Sequence, residues 1–68
     1  MTNTNLLEAK INESGKKKKH LCAVLGISQP TFRKLLTGQT EFTTGQVKTL
    51  CEELGITTQQ EKEAIFFA

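Results

Sequence analysis

Residues 20 to 38 read His20-Leu-Cys-Ala-Val-Leu-Gly-Ile-Ser-Gln-Pro-Thr-Phe-Arg-Lys-Leu-Leu-Thr-Gly38, and this stretch carries the strongest prediction about the fold. Gly26 can end a first short helix in the left-handed conformation. Ser28 can cap a second helix that carries Pro30 in its first turn, where a missing N–H costs little. Two helices joined by a short turn that contains glycine cross steeply. The stretch therefore predicts a helix pair whose second member turns its polar side outward.

Apolar residues at helical spacing also precede and follow this helix pair. Thr4 or Asn5 can cap a first helix, Thr43 and Gln46 match a capping box, and Thr57 or Thr58 can cap a last helix. The predicted core faces are Leu6, Leu7 and Ile11; Leu21, Val24 and Leu25; Phe32, Leu35 and Leu36; and Val47, Leu50, Cys51 and Leu54. We expect residues 1–68 to form one all-α domain, a compact five-helix bundle with helices at about 5–14, 18–25, 29–37, 44–54 and 58–67.

Length and composition argue against an enzyme. A chain of 68 residues can form only one small hydrophobic core. The sequence has four Phe but no Trp or Tyr. It shows no acid/base pair, nucleophile arrangement or phosphate loop, and His20 has no visible catalytic or metal partner. Cys22 and Cys51 lie inside apolar helical patterns without ligand spacing, which indicates reduced core thiols. We therefore expect no catalytic residues, no metal and no cofactor.

The apolar runs are too short for a membrane span, and the first residues lack the basic-then-apolar order of a signal peptide. We expect the chain to stay in the cytoplasm of a bacterial host cell.

Charge is segregated along the chain. Residues 16–40 hold six basic residues and no acidic one, whereas the rest of the chain holds three lysines and seven glutamates. The basic residues of that span are Lys16, Lys17, Lys18, Lys19, Arg33 and Lys34. One face of the protein is therefore expected to meet a polyanion.

The helix pair resembles the lambda-repressor/Cro (XRE-type) helix-turn-helix family. The residues that carry the resemblance are Leu21-Cys22, Leu25, Gly26, Ile27, Ser28, Thr31, Phe32, Leu35 and Gly38, continued by Val47, Leu50, Cys51, Leu54, Gly55 and Ile56. The likeness covers nearly the whole chain and implies a DNA-binding domain. Within the family, the chain is most similar to short Cro-like or antirepressor proteins of temperate phages of Gram-positive bacteria.

The resemblance makes the helix after Ser28 a recognition helix for the major groove of double-stranded DNA. Gln29 can pair with adenine, Arg33 or Lys34 with guanine, and Pro30 can touch a thymine methyl group. These four residues are the predicted base contacts. The alternative is that they are ordinary solvated residues.

Family members also contact the DNA backbone from the start of the second helix, which implies phosphate contacts there. The predicted phosphate contacts are Lys17, Lys18, Lys19, Ser28, Thr31, Gln39 and Thr40. A solvated run that only aids solubility competes with this interpretation for Lys16 and Lys17. A plain connecting loop is equally compatible with Gln39 and Thr40.

Ile65, Phe66 and Phe67 are consecutive apolar residues that span about 200° of a helix, so they cannot all face one core. We expect a partner interface there, although a chain end folded back over Leu6 and Leu7 would account for two of the three. The partner would be a second copy of the chain or another protein.

Two functions follow from these features. The first is a Cro-like transcription regulator of the lysis/lysogeny switch that binds operator DNA through the helix starting at Ser28. The alternative is an antirepressor of the same fold that binds the CI-type phage repressor and blocks its DNA binding. Steep salt dependence and loss of binding when Lys18 or Lys34 is neutralised would favour the first.

Overall fold

The computed structural model describes residues 1–67, and five α-helices and no strands lie in that range. They are α1 (Thr4–Ser14), α2 (Lys18–Leu25), α3 (Gln29–Leu36), α4 (Thr44–Leu54) and α5 (Gln59–Phe66). The predicted all-α bundle with a helix-turn-helix is confirmed. The first helix packs against α3, α4 and α5, and α2 packs against α3 and α4.

Side-chain caps explain most of the helix starts. Ser28 accepts from the backbone N–H of Thr31, and Thr43 and Gln46 form the predicted capping box. The first helix is different from the prediction, because Asn3 rather than Thr4 or Asn5 caps it: its side chain accepts from the N–H of Leu6 at 3.1 Å. That cap sets the start of α1 one residue earlier than expected.

The core lies where all five helices meet. Leu7, Leu21, Leu50 and Ile65 are completely buried, and Phe32 fills the space beside them. Burying side chains of this size contributes about 1.5–3 kcal/mol each to the hydrophobic stabilisation.

Two residues assigned to the core from helical spacing lie at the surface instead. Leu6 and Val24 are exposed, while Cys22 takes the buried position on α2 beside Leu21. The short cysteine side chain lets α2 lie close to the core on that side, and the rotation that buries it turns Val24 toward solvent. Cys22 and Cys51 are both buried free thiols, and burial raises the pKa of the Cys51 thiol.

The end of α5 folds into the core, contrary to part of the sequence interpretation. Ile65 and Phe66 were predicted to belong to a partner interface, yet both are buried. The ring of Phe42, in the loop after α3, meets the Phe66 ring edge to face, with 5.6 Å between centroids. Ile65 also accepts a hydrogen bond from the backbone N–H of Asn3. Phe67 alone of the three remains exposed, at 62%.

The turn between α2 and α3 is held by its own hydrogen bonds. Gly26 takes the left-handed conformation at φ 71°, and its N–H donates to the carbonyl of Ala23 at 3.2 Å. The N–H of Ile27 donates to the carbonyl of Cys22 at 3.1 Å, and the half-buried Ile27 side chain packs on the core. This closed turn fixes the position of α3 relative to α2.

Candidate nucleic-acid interface

The outer face of α3 carries the four predicted base-contacting residues. Gln29, Pro30, Arg33 and Lys34 are all exposed, whereas Phe32, Leu35 and Leu36 of the same helix are buried. The four line one wall of a groove of about 930 Å³ that also contains Lys18 from the start of α2. The fold thus brings residues from both helices of the pair to one concave surface.

The start of α3 is organised by two hydroxyl groups. Ser28 accepts from the backbone N–H of Thr31 at 3.2 Å, and the Ser28 hydroxyl donates to Thr31 Oγ1 at 2.9 Å. Ser28 therefore uses its proton within the helix cap, while the Thr31 hydroxyl keeps its own. Of these two predicted phosphate contacts, Thr31 has the hydroxyl that can still donate.

The start of α2 has no side-chain cap. Lys17 occupies the N-cap position with extended backbone, and its side chain accepts no hydrogen bond from the first turn. Lys18 and Lys19 follow directly, with no acidic residue in that turn. Positive charge at a helix N-terminus opposes the helix dipole by about 0.3–1 kcal/mol per residue at an exposed site. An anion bound there would satisfy the uncapped N–H groups and the lysines together.

Two lysines of the basic run are paired with glutamates from other helices. Lys18 Nζ lies 3.0 Å from one carboxylate oxygen of Glu8 on α1 and 3.2 Å from the other. Lys16 Nζ lies 3.2 Å from Glu53 Oε1 on α4. In residues 1–67, Lys17 and Lys19 make no ion pair, so the run divides into paired and unpaired members.

Glu53 also contacts His20. His20 Nε2 lies 3.0 Å from the same Glu53 oxygen that Lys16 approaches. The hydrogen bond from His20, followed by the one from Lys16, lowers the pKa of the Glu53 carboxyl. This cluster fastens the start of α2 to α4, and it gives His20 a partner that sequence spacing did not indicate.

The loop after α3 offers fewer donors than the sequence suggested. The backbone N–H groups of Gln39 and Thr40 both donate to the carbonyl of Lys34, at 2.9 and 3.4 Å. They close the end of α3, so only the side chains of these residues remain for a ligand. Gln39 lies in the groove with Lys18, whereas Thr40 is not part of its lining.

Phe67 stands apart from this surface, at the end of α5 and outside the residues that line the groove.

Among the described residues, no cluster of three or more His, Cys, Asp or Glu side chains could hold a metal ion. The longest helices have 11 residues, and none in residues 1–67 is long and apolar enough to cross a membrane.

Comparison with known proteins agrees with this geometry. The family model of the Cro/C1-type HTH DNA-binding domain matches residues 7–60, which include α1 from Leu7 onward, the whole helix pair and α4. No curated protein and no solved structure matches the chain.

Proposed function

The chain belongs to the Cro/C1-type HTH DNA-binding domain family, and on that premise we propose that it is a small phage-type regulator of the lysis/lysogeny switch that binds operator DNA. Family membership identifies it as a DNA-binding transcription regulator. The observation that supports operator binding is the groove in which the exposed face of α3 meets Lys18 at the start of α2. The phage role is inferred from the resemblance to short Cro-like proteins.

The exposed face of α3 would read the bases. Gln29 has an amide that can bond adenine, and Arg33 or Lys34 can donate to the two acceptors of guanine. The Pro30 ring suits a thymine methyl group. A good bidentate pair discriminates against the wrong base by about 1–3 kcal/mol.

Phosphate contacts would set the position of α3 along the DNA. Lys17 and Lys19 are exposed and unpaired in the described chain, and the uncapped N–H groups of α2 lie beside them. Thr31 and Gln39 can add neutral donors, and each neutralised phosphate adds a salt-dependent contribution to binding. Lys18 belongs to the same surface, although Glu8 holds its ammonium group.

A second candidate is the antirepressor, and exposed apolar residues favour it. Phe67 is 62% exposed, and Leu6 on α1 is also at the surface. In this function the protein would use an apolar contact to bind the CI-type phage repressor and block its DNA surface. The same residues could instead join two copies of this chain on a two-part operator.

The test is a titration of the protein against the DNA of its own early promoter and against the neighbouring repressor, each at two salt concentrations. Tight binding to one DNA sequence that weakens with salt supports the regulator. Arg33→Ala should abolish the preference for that sequence. Arg33→Lys, the matched control, should keep general DNA binding but discriminate less, because lysine lacks the rigid planar fork of guanidinium donors.

The opposite pattern would reject the DNA-reading proposal. Weak DNA binding without sequence preference, together with tight binding to the repressor that releases it from its operator, identifies an antirepressor. Phe67→Ser should then weaken the protein complex and leave DNA binding unchanged.

A further inference from the structure

Glu8 lies inside the basic groove, directly against one of its lysines. It comes from α1, and both of its carboxylate oxygens lie within 3.2 Å of Lys18 Nζ. Both side chains also line the groove with Gln29, Arg33 and Lys34. A carboxylate is thus placed where the proposed function puts a phosphate.

We propose that Glu8 is an affinity-limiting residue of the DNA-binding surface: it occupies Lys18 and so removes one phosphate contact from the complex. This inference rests on the proposed function. It assigns a role to a residue outside the helix pair, which sequence comparison with the helix-turn-helix motif does not single out.

Competition between two anions explains how the residue acts. A phosphate that approaches Lys18 must displace the Glu8 carboxylate or accept its repulsion, because both bind the same ammonium group. The side chains of Lys18 and Glu8 are 52% and 39% exposed. A phosphate from solution can therefore reach Lys18 and compete with Glu8 for its ammonium group. Binding to any DNA sequence therefore loses one electrostatic contact, while the base contacts of α3 are unaffected.

The slope of binding against salt measures this contact directly. Each phosphate neutralised on double-stranded DNA contributes about −0.9 to the slope of log K against log salt. Glu8→Gln frees Lys18 and should steepen the slope by about 0.9, which corresponds to an affinity gain on the order of eightfold near 0.1 M salt. The probe is a random-sequence DNA duplex, so that no operator need be known.

Glu13→Gln is the matched control. Glu13 lies on the same helix and is exposed, and it makes no ion pair or side-chain hydrogen bond in residues 1–67. Its substitution changes the net charge by the same amount but frees no lysine, so the slope should stay as in the unaltered protein. Thermal unfolding of both variants checks that the fold is retained.

Lys18→Gln distinguishes a Lys18 whose phosphate contact is blocked by Glu8 from a Lys18 that already contacts phosphate. If Glu8 suppresses the contact, Lys18→Gln alone leaves the slope unchanged, in contrast to the loss of binding expected from the sequence, because Glu8 already occupies Lys18. Adding Lys18→Gln to Glu8→Gln then returns the slope to its original value. If Lys18→Gln alone flattens the slope by about 0.9 and Glu8→Gln does nothing, Lys18 already contacts phosphate and the proposal is wrong. Salt-sensitive DNA binding with equal slopes for all variants also overturns it, but leaves the proposed function standing. Absence of salt-sensitive DNA binding in every form of the protein overturns both.

Discussion

The starts of α2 and α4 differ in whether side chains bind their first backbone N–H groups. In any α-helix these N–H groups have no partner within the helix. At α4, Gln46 N–H donates to the Thr43 hydroxyl at 3.2 Å, and Thr43 N–H donates to the Gln46 side chain at 2.9 Å. At α2, Lys17 supplies no cap. The capped start of α4 stabilises the fold, whereas the uncapped start of α2 leaves its N–H donors available to the DNA phosphate that we propose binds there.

The most severe way to break this comparison is to give α2 the kind of start that α4 has. Lys17→Asp places an acceptor at the N-cap, which should stabilise the protein by about 0.5–2 kcal/mol. It also replaces a cation by an anion at the proposed phosphate site, which should weaken binding to a DNA duplex by more than the about eightfold that loss of one phosphate contact costs near 0.1 M salt. Thermal unfolding and a fluorescence anisotropy titration measure the two effects. A variant that gains stability and keeps its affinity would show that the α2 start does not contact DNA.

Removing a single lysine gives a smaller effect that depends on position. Lys19→Ala should weaken DNA binding by about eightfold near 0.1 M salt and flatten the salt slope by about 0.9. Lys48→Ala makes the same charge change at an exposed residue of α4, which lines a different cavity with Gly55 and Lys62, so its slope should stay unchanged. Equal losses for the two variants would mean that only total charge matters.

The α4 start should respond in stability alone. Thr43→Ala removes the acceptor of the capping box and should lower the free energy of unfolding by about 1 kcal/mol. The salt slope of DNA binding should not change, because Thr43 is uncharged and its hydroxyl accepts from the Gln46 N–H. Chemical denaturation measures the first quantity. A flattened slope in this variant would place the loop before α4 on the DNA.

The smallest expected effect concerns the contacts that join the start of α2 to Glu53 in the last turn of α4. The pKa of Glu53 is lowered by His20 and Lys16, so its contribution to stability is present above the unfolded-state pKa and is lost as pH falls through the lower folded-state value. The melting temperatures of the unaltered protein and Glu53→Gln should therefore differ at neutral pH and converge in acid. Glu52→Gln, which removes a neighbouring exposed carboxylate, should show no such convergence. A constant difference for Glu53→Gln would mean that these contacts do not stabilise the native state.

Sequence patterns predicted the elements of this fold because helix signals are local. The capping box of Thr43 and Gln46, the Ser28 cap and the glycines after α2 and α4 all act within a few residues of one another. The predicted exposed face of α3 depends on the same local periodicity. Rotation of a helix about its axis is set by its neighbours instead, and for this reason Val24 is exposed, although Cys22 is buried as predicted.

The contacts that divide the lysine run could not be read from the sequence. Glu8 and Lys18 are ten positions apart, and Lys16 and Glu53 are 37 apart. Such pairs exist only after α1 and α4 have packed beside α2. The burial of Phe66 is equally non-local, because it depends on the ring of Phe42 from a loop that carries no helical pattern.

The closed turn at Gly26 also has a consequence for the shape of the DNA. Since the turn fixes α3 relative to α2, the distance between the proposed base-reading face of α3 and the proposed phosphate-binding start of α2 is also fixed. A rigid protein cannot adjust to a duplex whose groove width or curvature differs from its own, so the duplex must deform. Flexible pyrimidine–purine steps bend at lower cost than stiff A-tracts. We therefore expect base pairs that no side chain touches to influence which sites are bound.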